Sequence, residues 1–243
     1  MPAPVPTSTA APAPAPVRPA AAARPGGRLR SLLRAGALLG IVGVLAGSLV
    51  MPASAASAAL LDCPGETVPS GTTTINGYQL HADAQGRPDS ALAPAGTLVE
   101  QPGGRDSACT ARVGHYADRD GLTGYDGGHL IADRFNGPSV RENLVPMQGT
   151  SVNRVVFLAF ETAVVRCLRQ WGAPATTYRV SAHYPNNSTL VPDQVRAQMT
   201  VTASGQPHDV DMTYPNKALS KAERDALNKD LDTQAAAAGC PKK

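Results

Sequence analysis

A histidine, two asparagines and a glutamate follow one another as His129, Asn143, Asn153 and Glu161, and their types are complementary. Imidazole is a base whose ordinary pKa lies near neutral pH, which suits proton abstraction from water. An amide oxygen is a neutral ligand that leaves the double charge of a hard cation undiminished. Mg²⁺ prefers oxygen, keeps several waters, and takes only one or two protein ligands. A carboxylate nearby steadies those waters. Together these groups are what metal-assisted attack of water on a phosphodiester requires.

Each residue also has a plainer explanation. His129 follows Gly127-Gly128, whose missing side chains leave space beside an imidazole, yet a histidine hydrogen-bonded in a core fits the same position. Asn153 opens the longest helical pattern, where asparagine is a favoured N-cap. Glu161 lies eight residues further on, a little over two turns, and a solvated helix charge is the ordinary account of it. The joint spacing is what distinguishes the set.

That spacing carries a resemblance. Asp126-Gly-Gly-His-Leu-Ile-Ala132, Asn143-Leu-Val-Pro146, and Asn153 with Glu161 resemble the DNA/RNA non-specific endonucleases, the ββα-metal or His-Me finger nucleases. The likeness is dense from Gly124 to Glu161 and thinner over the flanking strands. It implies His129 as general base, Asn153 as direct Mg²⁺ ligand (with Mn²⁺ as a substitute) and Glu161 as holder of the cation's waters. Asn143 would position the histidine or the scissile phosphate, and Asp126 would brace the loop. The family's usual motif is Asp-Arg-Gly-His, and Gly127 stands where that arginine contacts phosphate. Secreted and toxin-type members of a DGGH subgroup share this glycine. Arg134 and Arg112 are the candidates to replace the arginine, and Arg134 is assigned to the catalytic set.

The elements that must position these residues read as α+β: a mixed or antiparallel sheet, a ββα-metal core, a central metal-bearing helix and a C-terminal helix. Ala56–Pro69 reads as an extended arm and Thr72–Tyr78 as a strand entering an Asn-Gly turn. Leu92–Glu100 and Ala111–Tyr116 read as short strands. Gly121–Gly128 carries four glycines and reads as a loop or bulge into His129, and Asp133–Arg141 as another loop. From Asn153 to Trp171, Val156, Phe157, Phe160, Val164, Cys167 and Leu168 recur at helical intervals. Tyr178–Tyr184 and Val195–Thr202 read as strands, with a turn at Asn186-Asn187-Ser188. Ser220-Lys-Ala-Glu223 has the form of a capping box opening a helix to about Ala238.

The first 55 or so residues have a different composition. Met1–Arg34 is rich in proline and alanine, with arginines at 18, 24, 28, 30 and 34 and no acid. An uncharged apolar run to Val50 follows, then Met51-Pro-Ala-Ser-Ala55. A basic n-region, a short h-region and a small-x-small site define a secretory signal peptide over residues 1–55, with cleavage near Ala55 or Ala58. The apolar run falls short of the ~20 residues that span a bilayer. A single nuclease domain over residues 59–243 follows, with no membrane attachment after cleavage.

Removing the leader reverses the charge. The whole chain has 22 basic and 19 acidic residues, a formal +3. The five leader arginines leave and no acid does, so the mature part is net negative by two. Global charge therefore does not argue for nucleic acid, and a phosphate-binding surface has to be a local patch. All four cysteines follow the leader, which implies two disulfides in an oxidising compartment. Three pairings are open, and the closeness of chain ends favours Cys63–Cys240 with Cys109–Cys167. His81, His115, His183 and His208 lack spaced partners and read as surface or structural.

These readings converge on a secreted, Mg²⁺-dependent endonuclease that cuts DNA, RNA or both and leaves 5′-phosphate ends. A toxin nuclease acting on competing cells, with an inhibitor or immunity protein as partner, is an alternative in the same class. A non-catalytic exported nucleic-acid-binding module is the alternative from another class. The complete His/Asn/Glu set and the negative mature charge both count against it.

Overall fold

The computed structural model describes residues 63, 65–101, 104 and 106–242. The signal-peptide assignment lies outside the described residues. The side chains that matter to the site come from one stretch of chain inserted between two neighbouring strands of a larger sheet.

That sheet has six strands, all antiparallel: β1 (Gly71–Ile75), β2 (Tyr78–Ala82), β3 (Pro88–Ala93), β6 (Thr176–His183), β7 (Gln194–Ala203) and β8 (Gln206–Pro215), adjacent in that order. The expected Asn-Gly turn joins β1 to β2, with Asn76 and Gly77 at φ 54° and 82°. Both values suit the tight turn whose twist matches a hairpin. β8 has no counterpart among the expected strands. It lies beyond a Ser204-Gly205 turn of the same kind, at φ 52° and 79°.

Between β3 and β6 the chain leaves the sheet and builds a second unit. Helices α1 (Ser107–Gly114) and α2 (Tyr116–Arg119) lead to a separate hairpin of β4 (Tyr125–His129) and β5 (Leu144–Gln148). A π-wound segment, Gly149–Phe157, then runs directly into α3 (Leu158–Trp171). After β8, α4 (Lys221–Ala237) closes the described fold, and its capping box forms as expected between Ser220 and Glu223. This is the α+β class with an antiparallel sheet.

Several expectations are corrected. Ala111–Tyr116 is helical, because Asp106 caps α1 by accepting from the amides of Ala108 and Cys109, and Cys109 and Val113 bury one face. Leu92–Glu100 is a strand only at its start, where β3 ends at Ala93. The Gly-rich Gly121–Gly128 stretch is a strand from Tyr125 onward, paired with β5. The disulfides are Cys63–Cys109 and Cys167–Cys240. Each end of the domain is tied to a nearer element. The arm around Cys63 lies along α1, where Arg112 donates to the Cys63 carbonyl and Tyr116 to that of Gly65. α4 packs on α3 and so returns Cys240 to Cys167.

The main core lies between the sheet and the helices. Val156, Phe157, Phe160, Val164 and Cys167 are fully buried, as their spacing requires, against Tyr178, Val180, Val195, Met199 and Met212. Three buried tyrosines stand in for the scarce phenylalanines and tryptophan. Two of them reach into the second unit: Tyr178 donates to the Leu130 carbonyl at 3.0 Å, and Tyr78 to the carbonyl of Phe135. Burial first, and then the neighbouring Glu161, push the Tyr178 phenol well above its ordinary range, so it remains a donor. The sheet therefore holds the segment that follows His129.

No helix among the described residues is long and apolar enough to cross a membrane.

Candidate active site

His129 ends β4 and is only 4 % exposed, so it is reached only along a cleft. Its Nε2 lies 3.0 Å from Ser139 Oγ. If the hydroxyl accepts from Nε2–H, that tautomer leaves the basic lone pair on Nδ1. A recess of about 310 Å³ contains His129 with Arg134, Asn153, Leu158 and Glu161. Three of the four residues singled out by type and spacing thus share one wall-to-wall space.

The fourth does not. Asn143 is fully buried behind the cleft, and its amide is committed to backbone. Oδ1 accepts from Ile131 N at 2.8 Å, and Nδ2 donates to the carbonyls of Ile131 (2.9 Å) and Pro138 (3.0 Å). Its own carbonyl accepts from Leu130 N at 2.8 Å. It staples the turn after His129 and sits too deep to touch a phosphate.

Asn153 is not the helix cap that its position in the pattern suggested. The helix begins four residues earlier, where Gln148 is the N-cap and accepts from Ser151 N at 2.8 Å. Asn153 lies inside the π-wound segment. Eight residues of ordinary α-helix overshoot two turns by about 80°. The wider π winding turns less per residue, so it removes part of that overshoot and brings Asn153 and Glu161 toward one azimuth. Gly149 permits the start of this winding: a Cβ there would lie 2.7 Å from the Arg154 guanidinium and 2.8 Å from an Asp126 carboxylate oxygen.

Asp126 ties the metal-type amide to its neighbour. It accepts from Asn153 Nδ2 at 3.3 Å and pairs with Arg154 Nε at 3.0 Å. With the amide nitrogen so engaged, the oxygen is the atom offered to a cation. Among the described residues no cluster of three or more His, Cys, Asp or Glu could hold a metal. An Asn oxygen in a recess also lined by the Glu161 and Asp133 carboxylates suits a cation that prefers oxygen and keeps several waters, such as Mg²⁺, and does not suit zinc.

Gly127 explains why no arginine follows Asp126. A Cβ at Gly127 would meet the Thr110 carbonyl oxygen at 2.3 Å and its Cα at 2.8 Å, so α1 occupies the space a side chain would need. Of the two substitutes, Arg134 lines the His129 recess, is 31 % exposed, and donates to Thr162 Oγ1 at 3.3 Å. Arg112 is spent on the Cys63 carbonyl at 2.7 Å. Sequence reasoning missed Ser139 and Arg154. The adjacency of Arg154 to Asn153 was the available signal for the second, and nothing in the sequence pointed to the first.

A family model, DNA/RNA non-specific endonuclease, matches residues 69–203, which span all of the β4–β5–α3 unit and most of the sheet. The chain belongs to this family. It is therefore an endonuclease, and its substrate is nucleic acid. Among solved structures, NucA from Streptococcus agalactiae with magnesium bound is 22 % identical, with TM-score 0.45 over 63 % of this chain and 74 % of that one. The metal-free form of the same nuclease is 19 % identical, with TM-score 0.43 over the same shares. An extracellular endonuclease is 15 % identical, with TM-score 0.40 over 63 % of this chain and 84 % of that one. No curated protein matches.

Proposed function

We propose that this endonuclease is exported, is Mg²⁺-dependent, and hydrolyses DNA, RNA or both to 5′-phosphate ends, with His129, Asn153, Glu161 and Arg134 at the reacting phosphate. The observation that carries the reading is the single recess these four side chains line. His129 accepts the proton of a water through the nitrogen opposite its Ser139 contact. The water oxygen forms a bond to phosphorus, and the bond from phosphorus to the 3′-oxygen breaks. Asn153 and Glu161 would hold the cation, which when bound would offset charge on the transferring phosphoryl group and the departing oxygen. Arg134 meets the non-bridging oxygens, where charge builds up and a fixed donor is worth most. Asn143 positions the turn after His129 and touches neither water nor phosphate.

Contacts to phosphate and sugar carry no base information, so sequence preference is weak and activity falls with salt. Two disulfides and the basic, apolar leader over residues 1–55 support export of a domain over 59–243. Incubating the protein with plasmid and with RNA, in Mg²⁺ or in chelator, tests the reading. Nicking and degradation only with the metal, ending in 5′-phosphates, is the expected result. Equal cleavage in chelator would overturn the metal's role.

A further inference from the structure

The cleft does not stop at the recess of His129. A second hollow, of about 630 Å³, adjoins it and shares Asn153, Leu158 and Glu161 as the common wall. Thr110, His115, Asp126 and Arg154 also line it. Arg134 and Arg154 therefore flank the Asn153 amide in opposite directions, and only Arg134 shares a recess with the general base.

We infer that Arg154 grips the phosphate next to the scissile one, and so sets how long a strand the enzyme needs. The inference rests on the nuclease reading above. Arg154 is 62 % exposed, so its charge is offered to the hollow. It is also aimed: Nε lies 3.0 Å from Asp126 Oδ2 and 3.1 Å from the Gly149 carbonyl, and Nη2 lies 3.4 Å from Asp126 Oδ1. A guanidinium has five N–H donors, so a phosphate is met without giving up these contacts. The pairing with Asp126 lowers the cost of ordering a long side chain when substrate arrives. Because the same carboxylate also accepts from Asn153, the arginine is held in register with the amide at the reacting centre. The steric block at Gly127 closes that position in the same hollow to an arginine.

The test compares Arg154→Ala with the unmodified protein on two substrates: a dinucleotide with one phosphodiester and a tetranucleotide with three. Expected for the variant is a loss of about tenfold in kcat/KM on the tetranucleotide, carried by KM, with the dinucleotide changed less than about twofold. Arg154→Lys retains most of the tetranucleotide activity, since a point charge still meets phosphate. A second readout needs no cleavage. In a His129→Ala background with chelator, anisotropy of a labelled single strand against salt should show a slope shallower by about 0.7 when Arg154 is also removed, one phosphate contact fewer. Equal losses on both substrates, no loss on either, or an unchanged salt slope would overturn the inference. If the unmodified protein cleaved neither these substrates nor plasmid in Mg²⁺, the proposed Mg²⁺-dependent cleavage would fail, and the salt slope would still decide whether Arg154 holds phosphate.

Discussion

The six-stranded sheet and the β4–β5–α3 unit are built by different rules. Along β6 and β7, buried and exposed residues alternate, so Tyr178, Val180, Val195 and Ala197 face the core while Arg179 and Arg196 face away. In the β4–β5–α3 unit β5 is buried along its whole length, β4 sets Gly127 against α1, and the helix starts with π winding. Regular strands satisfy their own backbone groups. The irregular unit cannot, and it borrows side-chain partners: Asn143 accepts from the Ile131 amide and donates to the Pro138 carbonyl, Tyr178 donates to the Leu130 carbonyl, and Asn216 donates to the Pro146 carbonyl and accepts from the Gln148 amide. Reactive side chains sit where the backbone departs from regularity, and the regular sheet and buried amides supply what that departure leaves unpaired.

Substitutions that separate chemistry from bracing test this contrast, beginning with the largest effect. His129→Ala should lower kcat on the order of a thousandfold while the thermal midpoint barely moves, because the residue acts on the reaction and its Ser139 contact lies at the cleft. Near-normal cleavage would remove it as the base. Asn153→Ala should reduce activity on the order of a hundredfold and shift the Mg²⁺ titration to higher concentration, with folding little changed. An unchanged titration would take it out of the metal site.

Asn143→Ala should behave in the opposite way. It strands three buried backbone groups, each worth about 1–3 kcal/mol, and so should show first as a drop in urea midpoint. Full stability with lost activity would show that Asn143 works in the chemistry after all. Restoring the family's arginine by Gly127→Arg should destabilise by at least about 1 kcal/mol and add no activity, because its Cβ runs into the α1 backbone. A faster enzyme would show that α1 yields easily.

The smallest effect is expected from the sheet's exposed polar face. The hydrogen bond from Arg196 holds the Asp211 carboxyl below its ordinary 3.8, against the opposing pull of partial burial. A folded value lower than the unfolded one means stability is present above pH 3.8 and is lost as pH falls through the depressed value. Asp211→Asn should slightly flatten the acid decline of the thermal midpoint between about pH 4 and pH 2. An unaltered decline would leave the pair with no share in acid stability.

Much of this molecule was legible residue by residue. The apolar spacing from Val156 to Cys167 marked the central helix, the Asn-Gly and capping-box signatures marked the turn after β1 and the start of α4, and the joint spacing of His129, Asn153 and Glu161 marked the cleft. Ala111–Tyr116 taken alone has the pattern of a strand, because its helical face depends on Cys109 and on the Asp106 cap, both upstream of it. β8 was not among the expected strands although Val210, Met212 and Tyr214 alternate with Asp209, Asp211 and Thr213, because aspartates and flanking prolines have low strand propensity, which pairing with β7 and burial of the alternate face offset. The grouping of Asn143 with the reactive residues had the same origin, since spacing along a chain does not tell a buried amide from an exposed one.

By itself the sequence determined the family and the class of fold, because side-chain type and periodicity are local properties. Only the tertiary structure decided which amide faces the cleft, which cysteines pair, and why Gly127 cannot be arginine. Those depend on how α1, β4 and the π-wound turn approach one another, and such distances are set by packing between segments far apart in the chain.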